Sequence, residues 1–517
     1  MTQPKQYEAS YAAYTYSKES GYWVSDERIK EQLTHITFTE DNPPEAGGTP
    51  VISNGKDAYV DTSDLHTVIY GLSGVKKSIC FFMPTMYSLA MAGENMIIND
   101  PKGELFARMS GFLKYRGYRI ICLDFRTMNA DGYNILGYPA RLYKTGRKAE
   151  ATLMINNLVN ALAAKQRIQC KDPFWPDSGA QWLSGTGALM LDSYPEDKVN
   201  LINWSDYNKR SSGSCLEEIL YNIPETTAKQ SIEQTLSASE NTMRSILITA
   251  SSFLAAFNQN DKLAAMLSDS TFQLEDLCEE KTALFIITDD TTSTTDEIVA
   301  IIISQIQSYL IDCAFHSEGG KLPTRTNFII DEFQSLHIPD MENALATHRS
   351  RSIRYYLCVQ SLAGLHTRYE YPDALLANCG NIFFLGSTEQ ELLEKISELC
   401  GKTNISPNGS ERSLVTPAEL SSLKKAWSYK QAIYLSPLNG IRYCTDFPSI
   451  EAYGIAEYPP AVCYHEHPDA DSYTVREFAD DVQRGRIPVP FTKKSPEELH
   501  RSKDTSKKRR FNGILAD

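Results

Sequence analysis

The sequence predicts an α/β protein in which a central, mostly parallel sheet, covered by helices on both faces, is interrupted by an all-α insertion. Three observations predict it. Short apolar runs alternate with amphipathic segments from about residue 65 to 140. That strand signal then vanishes until about residue 280 and returns with the same rhythm to about residue 450. Strand–helix–strand units at such spacing imply parallel pairing, because parallel strands need a crossover and the crossover helices cover the sheet.

The expected elements follow in chain order. Residues 1–64 are polar, tyrosine-rich and broken by DNPPEAGGTP (41–50), a turn-rich linker. HTVIYG (66–71) is a short strand entering a loop, and KSICFFMPTMYSLAMAG (77–93) has helical spacing in which Pro84 should kink or end the helix. NMIIND (95–100) is a second strand, GELFARMSGFLKYRG (103–117) a second helix closed by glycine, and YRIICLD (118–124) a third strand. Between 141 and 280 the stretches 150–166, 181–193 and 241–257 read as amphipathic helices. TALFIITD (282–289), TNFIIDE (326–332), RYYLCVQ (354–360) and NIFFLG (381–386) are compact β-rich runs, with helices at 296–315 and 388–401. The chain thus divides into an N-terminal segment (1–64), a two-part α/β domain (65–140 and 281–450), the helical insertion (141–280) and a charged C-terminal extension (451–517) expected to end in a mobile tail.

Composition bounds the function. At 517 residues, 42% hydrophobic and 22% charged, the chain is a globular protein of two or three domains. A net charge of −14 argues against nucleic acid coating the whole surface but leaves room for a local basic channel. The eleven cysteines form no C-x-x-C pair, as in a reducing cytoplasm. No apolar stretch approaches the roughly eighteen residues that cross a bilayer, and the N-terminus is no signal peptide, so a cytoplasmic protein is expected. The nine histidines show no metal-ligand spacing and no G-x-S-x-G occurs, so neither a metal cluster nor an α/β-hydrolase nucleophile is expected. The KKRR at 507–510 reads as a solvated tail, with weak contact to nucleic acid or an acidic partner as the sharper alternative.

The chemistry-bearing residues begin with YGLSGVKKS (70–78), a phosphate-binding P-loop with one letter changed. Gly71 takes the first position of G-x-x-x-x-G-K-[ST], Gly74 lies inside, and Lys77-Ser78 close it, but Lys76 replaces the second glycine. In such a loop backbone amides and the following helix attract phosphate, the lysine reaches the β and γ phosphates, and the serine holds Mg²⁺. The residues leave three readings: Lys76 tolerated, Lys76 itself the working lysine of a loop one residue short, or a strand–turn–helix junction without ligand. NFIIDEFQSL (327–336) ends a buried strand in Asp331-Glu332, the Walker B arrangement of a Mg²⁺-contacting aspartate and a water-polarising glutamate. The alternative is an idle, solvated acidic pair. Gln360, ending RYYLCVQ, suits a γ-phosphate sensor. Arg349 suits an arginine finger offered to a neighbouring subunit, with a surface salt bridge as the alternative and Arg351 and Arg354 as rivals. Lys102 and Gly103, in DPKGE (100–104), sit after a strand where ligands gather, or in a plain turn.

In combination, HTVIYGLSGVKKS, AGENMIINDPKGELF, GYRIICLDF, DPFW, NFIIDEFQSL, ATHRSRSI, VQSLAGLHTRY and LLANCGNIFFLG resemble, in order, the motifs of TraG-like type IV secretion coupling proteins. These are conjugative ATPases related to FtsK-type DNA pumps, and the resemblance runs from about residue 64 to 450. It implies a RecA-like P-loop NTPase domain carrying an inserted all-α, substrate-recognising domain. It also implies ATP and Mg²⁺ as cofactors and a hexamer at a secretion channel, recruiting a relaxase–DNA complex and translocating single-stranded DNA. Lys77 and Ser78 match the P-loop positions, Asp331 and Glu332 the Walker B acids, Arg349 the trans-acting arginine and Gln360 the sensor glutamine. Two departures stand out. Family members commonly begin with transmembrane helices, so a soluble variant reaching the inner membrane face through a partner is expected. And Lys76 raises the alternative of a catalytically impaired adaptor or nucleotide-gated scaffold.

Overall fold

Strands form where the apolar runs were expected, because each is buried on both faces. The computed structural model describes residues 21–39, 43–206, 227–258, 260–288, 295–403, 411–423, 429–455, 457–467 and 473–484. The strands are β1 (Thr34–Thr37), β2 (Thr49–Ser53), β3 (Asp57–Asp61), β4 (Thr67–Gly71), β5 (Asn95–Asn99), β6 (Arg119–Asp124) and β7 (Thr282–Ile287). There follow β8 (Thr326–Ile330), β9 (Ile353–Val359), β10 (Asn381–Gly386), β11 (Lys402–Thr403), β12 (Arg412–Ser413), β13 (Tyr429–Ser436) and β14 (Gly440–Pro448). Nine of them make one sheet in the order β14-β13-β10-β4-β9-β8-β5-β7-β6. The pairs from β10 through β4, β9, β8 and β5 to β7 are parallel. In β4, β5, β7, β8 and β9 every residue is buried, the signature of a sheet covered on both sides.

The chain separates into two compact units. The first comprises Met1–Ile121, Leu274–Thr291 and Gln307–Val462, and the second Cys122–Gln273, Thr292–Ile306 and Cys463–Asp517. The first break therefore falls near residue 122 rather than 140. The segment after residue 463 groups with the helical unit instead of standing as a separate extension. Within that unit Tyr194 packs on Phe478 of the helix Val475–Gln483, ring centroids 4.8 Å apart. The tail beyond residue 484, KKRR included, lies outside the described residues.

Four differences from the sequence reading have physical causes. The described part of residues 1–64 is not featureless: it holds a helix, Asp26–Gln32, and a three-stranded sheet, β1-β3-β2. Antiparallel β13 and β14 extend the main sheet at one edge. Pro84 does not end its helix. A π-helical turn, Ser78–Phe82, precedes the α-helix Met83–Ala92 and leaves Pro84 in its first turn, where a missing N–H costs nothing. Lastly, the helix Asp296–His316 is long and apolar enough by length and composition to cross a bilayer. The sequence reading placed this helix at 296–315 but expected no apolar stretch of that length, because Ser304, Gln305, Gln307 and Ser308 interrupt the run; most of the helix is buried inside the fold.

At the amino-terminal edge of the parallel strands a buried ionic network ties the first unit together. Arg354 opens β9 and is 2% exposed; its guanidinium donates to Asn327 Oδ1 (2.9 Å), the Ser63 carbonyl (2.8 Å), the Gly47 carbonyl (3.1 Å) and Glu94 Oε2 (3.1 Å). Glu94, also buried, accepts from the Gly47 amide at 2.8 Å and from Asn327 Nδ2 at 2.8 Å. Every charge is met by several hydrogen bonds, the condition under which a buried ion pair is tolerated. Arg354→Ala leaves buried Glu94 with only the longer contact to Arg325 (3.6 Å) and orphans the groups Arg354 served, so it is expected to cost about 3 kcal/mol in urea unfolding. The surface change Arg351→Ala is expected to cost less than about 1 kcal/mol. Equal losses in the two variants would show the network to be incidental.

Candidate active site

Parallel strands deliver their carboxyl ends to one edge of the sheet, and the loops there collect the predicted site residues. Cross-strand register sets Tyr70 beside Val359, Leu357 beside Ile330 and Ile330 beside Asn99. The residues following these positions, Gly71, Gln360, Asp331 and Asp100, therefore share an edge. This is where open α/β sheets bind ligands.

The loop after β4 keeps the shape of a phosphate loop despite its altered letter. Lys76 has φ 67°, the left-handed conformation that glycine adopts freely and a side-chain residue adopts at a cost of roughly 1–2 kcal/mol. Gly74 also has positive φ, 75°. Lys76 thus occupies the glycine turn itself, and Lys77 is the lysine that turns inward. The Lys77 side chain is 7% exposed and its Nζ lies 3.5 Å from Asp331 Oδ1. Burial pulls the Lys77 ammonium pKa down, but Cys358, Asp331 and Glu332 outweigh it, and the net displacement is upward. The charged form is held in place.

Asp331 and Glu332 follow β8 directly. Asp331 Oδ1 accepts from the Glu332 amide at 3.0 Å, and its carbonyl accepts from Asn99 Nδ2 at 2.9 Å. Glu332 has φ 58°, a second strained side-chain residue at this edge, and its Oε1 accepts from Gln360 Nε2 at 2.8 Å. The Walker-type glutamate and the candidate sensor glutamine are therefore in direct contact. Ser78, opening the π-helical turn, donates to Glu104 Oε2 at 2.8 Å.

Five residues outside the sequence prediction belong to this cluster. Asp100 ends β5 as Asp331 ends β8, and the same rule of an acid after an apolar strand would have found it. Its carboxylate accepts from the amides of Glu104 (3.1 Å) and Phe106 (2.8 Å), fastening the start of the helix Glu104–Tyr115. Glu104 holds Ser78, Gln334 Oε1 accepts from the Gln360 amide at 3.2 Å, and the Cys358 thiol, raised by burial, lies against Lys77 and Asp331. Asn99 Oδ1 is buried and accepts no hydrogen bond from the described residues. No motif spacing marks these four. Lys102 is exposed on the turn before that helix, while Gly103, φ 68°, admits the chain into it.

Arg349 is not brought to this edge. It lies exposed on the turn His348–Arg351 before β9, whereas Gln360 follows β9, so a full strand of about 23 Å separates them. Its two rivals are committed elsewhere: Arg351 donates to the Gly320 carbonyl at 2.9 Å, and Arg354 sits in the buried network.

Burial raises the Asp100 carboxyl to about 7, with Asp331 adding to the rise against the pull of the Phe106 and Glu104 amides. The folded chain then keeps a proton that the unfolded chain releases above about pH 4. This contribution to stability is full below that pH and is lost as pH rises to 7. Relative to Asp100→Asn, the native chain is expected to lose up to about 4 kcal/mol between pH 4 and 7 in denaturant unfolding. Parallel pH profiles would count against a protonated Asp100.

Residues 18–442 match the family described as Type IV secretory system Conjugative DNA transfer. No curated protein matches the chain. Among solved structures, the plasmid coupling protein TrwB in complex with the non-hydrolysable ATP analogue ADPNP superposes with a TM-score of 0.61 at 17% identity, covering 88% of this chain and 99% of that one. The conjugative coupling protein TrwBΔN70, unbound, gives 0.60 at 17% identity, with 86% and 95% covered. TrwB with ADP and Mg²⁺ gives 0.59 at 17% identity, with 86% and 96% covered. At such identity these likenesses show a shared fold, a P-loop NTPase sheet of RecA type joined to a helical region. The family match spans most of the sequence and includes the loop, both acids and the glutamine, and this chain belongs to the type IV secretory system conjugative DNA transfer family.

Proposed function

We propose that this chain is an ATP-driven coupling factor for conjugative DNA transfer, with its nucleotide site at the loop after β4. The observation that carries the reading is the conformation of that loop: Lys76 in the left-handed turn and Lys77 buried toward Asp331. The residues fit ATP and Mg²⁺. Lys77 and the loop amides about the Lys76 turn would hold the phosphates, Ser78 Oγ and Asp331 the Mg²⁺, and Asn99 Oδ1, which accepts no hydrogen bond among the described residues, offers a further acceptor at the same edge. Bound ATP·Mg²⁺ supplies the phosphoryl group whose transfer to water releases the free energy for transport. The TrwB structures with ADPNP and with ADP and Mg²⁺ support this choice of ligand.

The chain's own residues divide the work. Glu332, held by Gln360, orients and deprotonates the attacking water; Gln360 links that carboxylate to the end of β9 and reports whether the terminal phosphate is present. Asp331 balances the Lys77 charge until a nucleotide replaces that contact. Arg349, on the opposite edge, serves a neighbouring copy in a hexameric ring, stabilising charge on the phosphoryl group. The helical unit would receive a relaxase–DNA complex, and channel proteins or a membrane-anchored partner would seat the assembly.

ATP binding, followed with a fluorescent analogue, and hydrolysis with and without single-stranded DNA test the reading. The native chain is expected to bind and turn over, faster with DNA. Lys77→Ala should lose binding at least tenfold, by a margin of about 1.4 kcal/mol or more. Glu332→Gln should bind but turn over about 10²–10⁴-fold more slowly. Lys76→Gly should bind as the native chain does, since the turn is already formed. A native chain that binds nothing, beside a Lys76→Gly chain that does, would instead make the protein an adaptor with a disabled loop.

The placement of Arg349 gives a separate expectation. Arg349→Ala and Glu332→Gln chains, each nearly inactive alone, should regain hydrolysis when mixed, because one supplies an intact water-activating site and the other the arginine. Mixtures no more active than their components would remove Arg349 from the site.

A further inference from the structure

Within the helical unit, Asp269, His465 and His467 place one ligand atom each within 4.8 Å of one another. The histidine spacing predicts no such cluster; the fold makes it by bringing the H-E-H of residues 465–467 beside Asp269. From this geometry we propose a zinc site at Asp269, His465 and His467, outside the nucleotide site and formed by residues of the helical unit alone.

The hydrogen bonds define what the site lacks. His467 is 3% exposed, and its Nε2 lies 2.9 Å from the Ala130 carbonyl. A carbonyl only accepts, so Nε2 carries the hydrogen. In the neutral ring Nδ1 then presents its lone pair to Asp269 Oδ2 at 3.4 Å, one acceptor against another. His465 Nε2 stands 3.7 Å from the same oxygen. A metal ion would serve both imidazoles and the carboxylate together. Bonds of about 2.1 Å in a tetrahedral sphere put ligand atoms about 3.4 Å apart, close to both separations. Two imidazoles and a carboxylate are a zinc donor set, and an N–H donated to a backbone carbonyl is the usual support of a metal-bound histidine.

The surroundings are built to hold the ring in place. A Cβ on Gly132 would come within 2.5 Å of His467 Cε1, 2.8 Å of the Asp269 carbonyl and 2.9 Å of the Met266 carbonyl, so only glycine lets His467 reach Asp269. The His465 amide donates to the Asn129 carbonyl at 3.0 Å, fixing the approach of the H-E-H segment. Asp269 and His465 are 39% and 44% exposed, so the fourth coordination position faces water. A bound ion would clip the segment after residue 463 to the loops around 130 and 269.

The test uses the full chain, stripped with chelator and titrated with Zn²⁺, with calorimetric binding and thermal unfolding as readouts. One zinc per chain is expected to bind and raise Tm by linkage. His465→Ala and Asp269→Asn, both at half-exposed positions, should each weaken zinc at least about 100-fold while leaving the metal-free Tm unchanged. Co²⁺ should give the intense visible absorption of a tetrahedral site in the native chain but in neither variant. Zinc affinity equal in all three chains, or a native Tm that zinc does not move, would overturn the site. Neither outcome depends on ATP binding.

Discussion

Strand direction is the constraint on which the rest of this structure depends. Because the central strands run parallel, their carboxyl ends must lie on one side, and residues 77, 100, 331 and 360 meet there although the sequence scatters them. The same constraint gathers the amino-terminal ends on the opposite side, where Glu94 and Arg354 lock β5, β8 and β9 to the segment around Gly47 and Ser63. One edge is held rigid by a satisfied ionic network, and the other is left to loops that can answer a ligand. Arg349 belongs to the rigid edge. Its distance from Gln360 is a property of the strand between them.

The ligand-facing edge concentrates charge and strain. Lys76 and Glu332 both hold backbone conformations that side-chain residues avoid, and both flank the Lys77–Asp331 pair. Neither conformation is repaid locally. What repays them is the buried packing of the strands beneath, including the aromatic contact of Phe81 with Phe383, 5.0 Å between centroids, below the loop's helix. At this same edge, burial, with Asp331 close by, raises the Asp100 carboxyl.

The strands of the central sheet were legible because double burial leaves an unbroken apolar run in the middle of each; MII, FII and YYLCV need no periodicity to be recognised. Strands β13 and β14 were not, because an edge hairpin mixes Lys430, Gln431 and Arg442 with its apolar residues. The phosphate-loop and acid motifs were legible as letters, but which lysine points inward is a matter of backbone dihedrals that no letter states. Asp100 followed the same pattern as Asp331 and was readable by the same rule. Glu104, Gln334 and Cys358 act through contacts made only after folding, as do Asp269 and His467, which come together from distant parts of their unit. The helix at 296–316 was legible as a helix, but its membrane-spanning length was not, because its polar residues broke the apolar run in sequence.

The position of β4 has a consequence for how the chain is made. The strand that carries the phosphate loop is synthesised early, yet both its neighbours, β9 and β10, come from the far half of the sequence. A ribosome therefore releases residues 122–273 of the helical unit long before the central strand has anything to pair with. Non-local parallel pairing of this kind is slow, and the apolar residues of β4 stay without their sheet until nearly four hundred residues have emerged. The nascent chain must keep TVIYG sheltered through most of its own translation, so truncated products ending before β9 are the forms most exposed to aggregation and proteolysis.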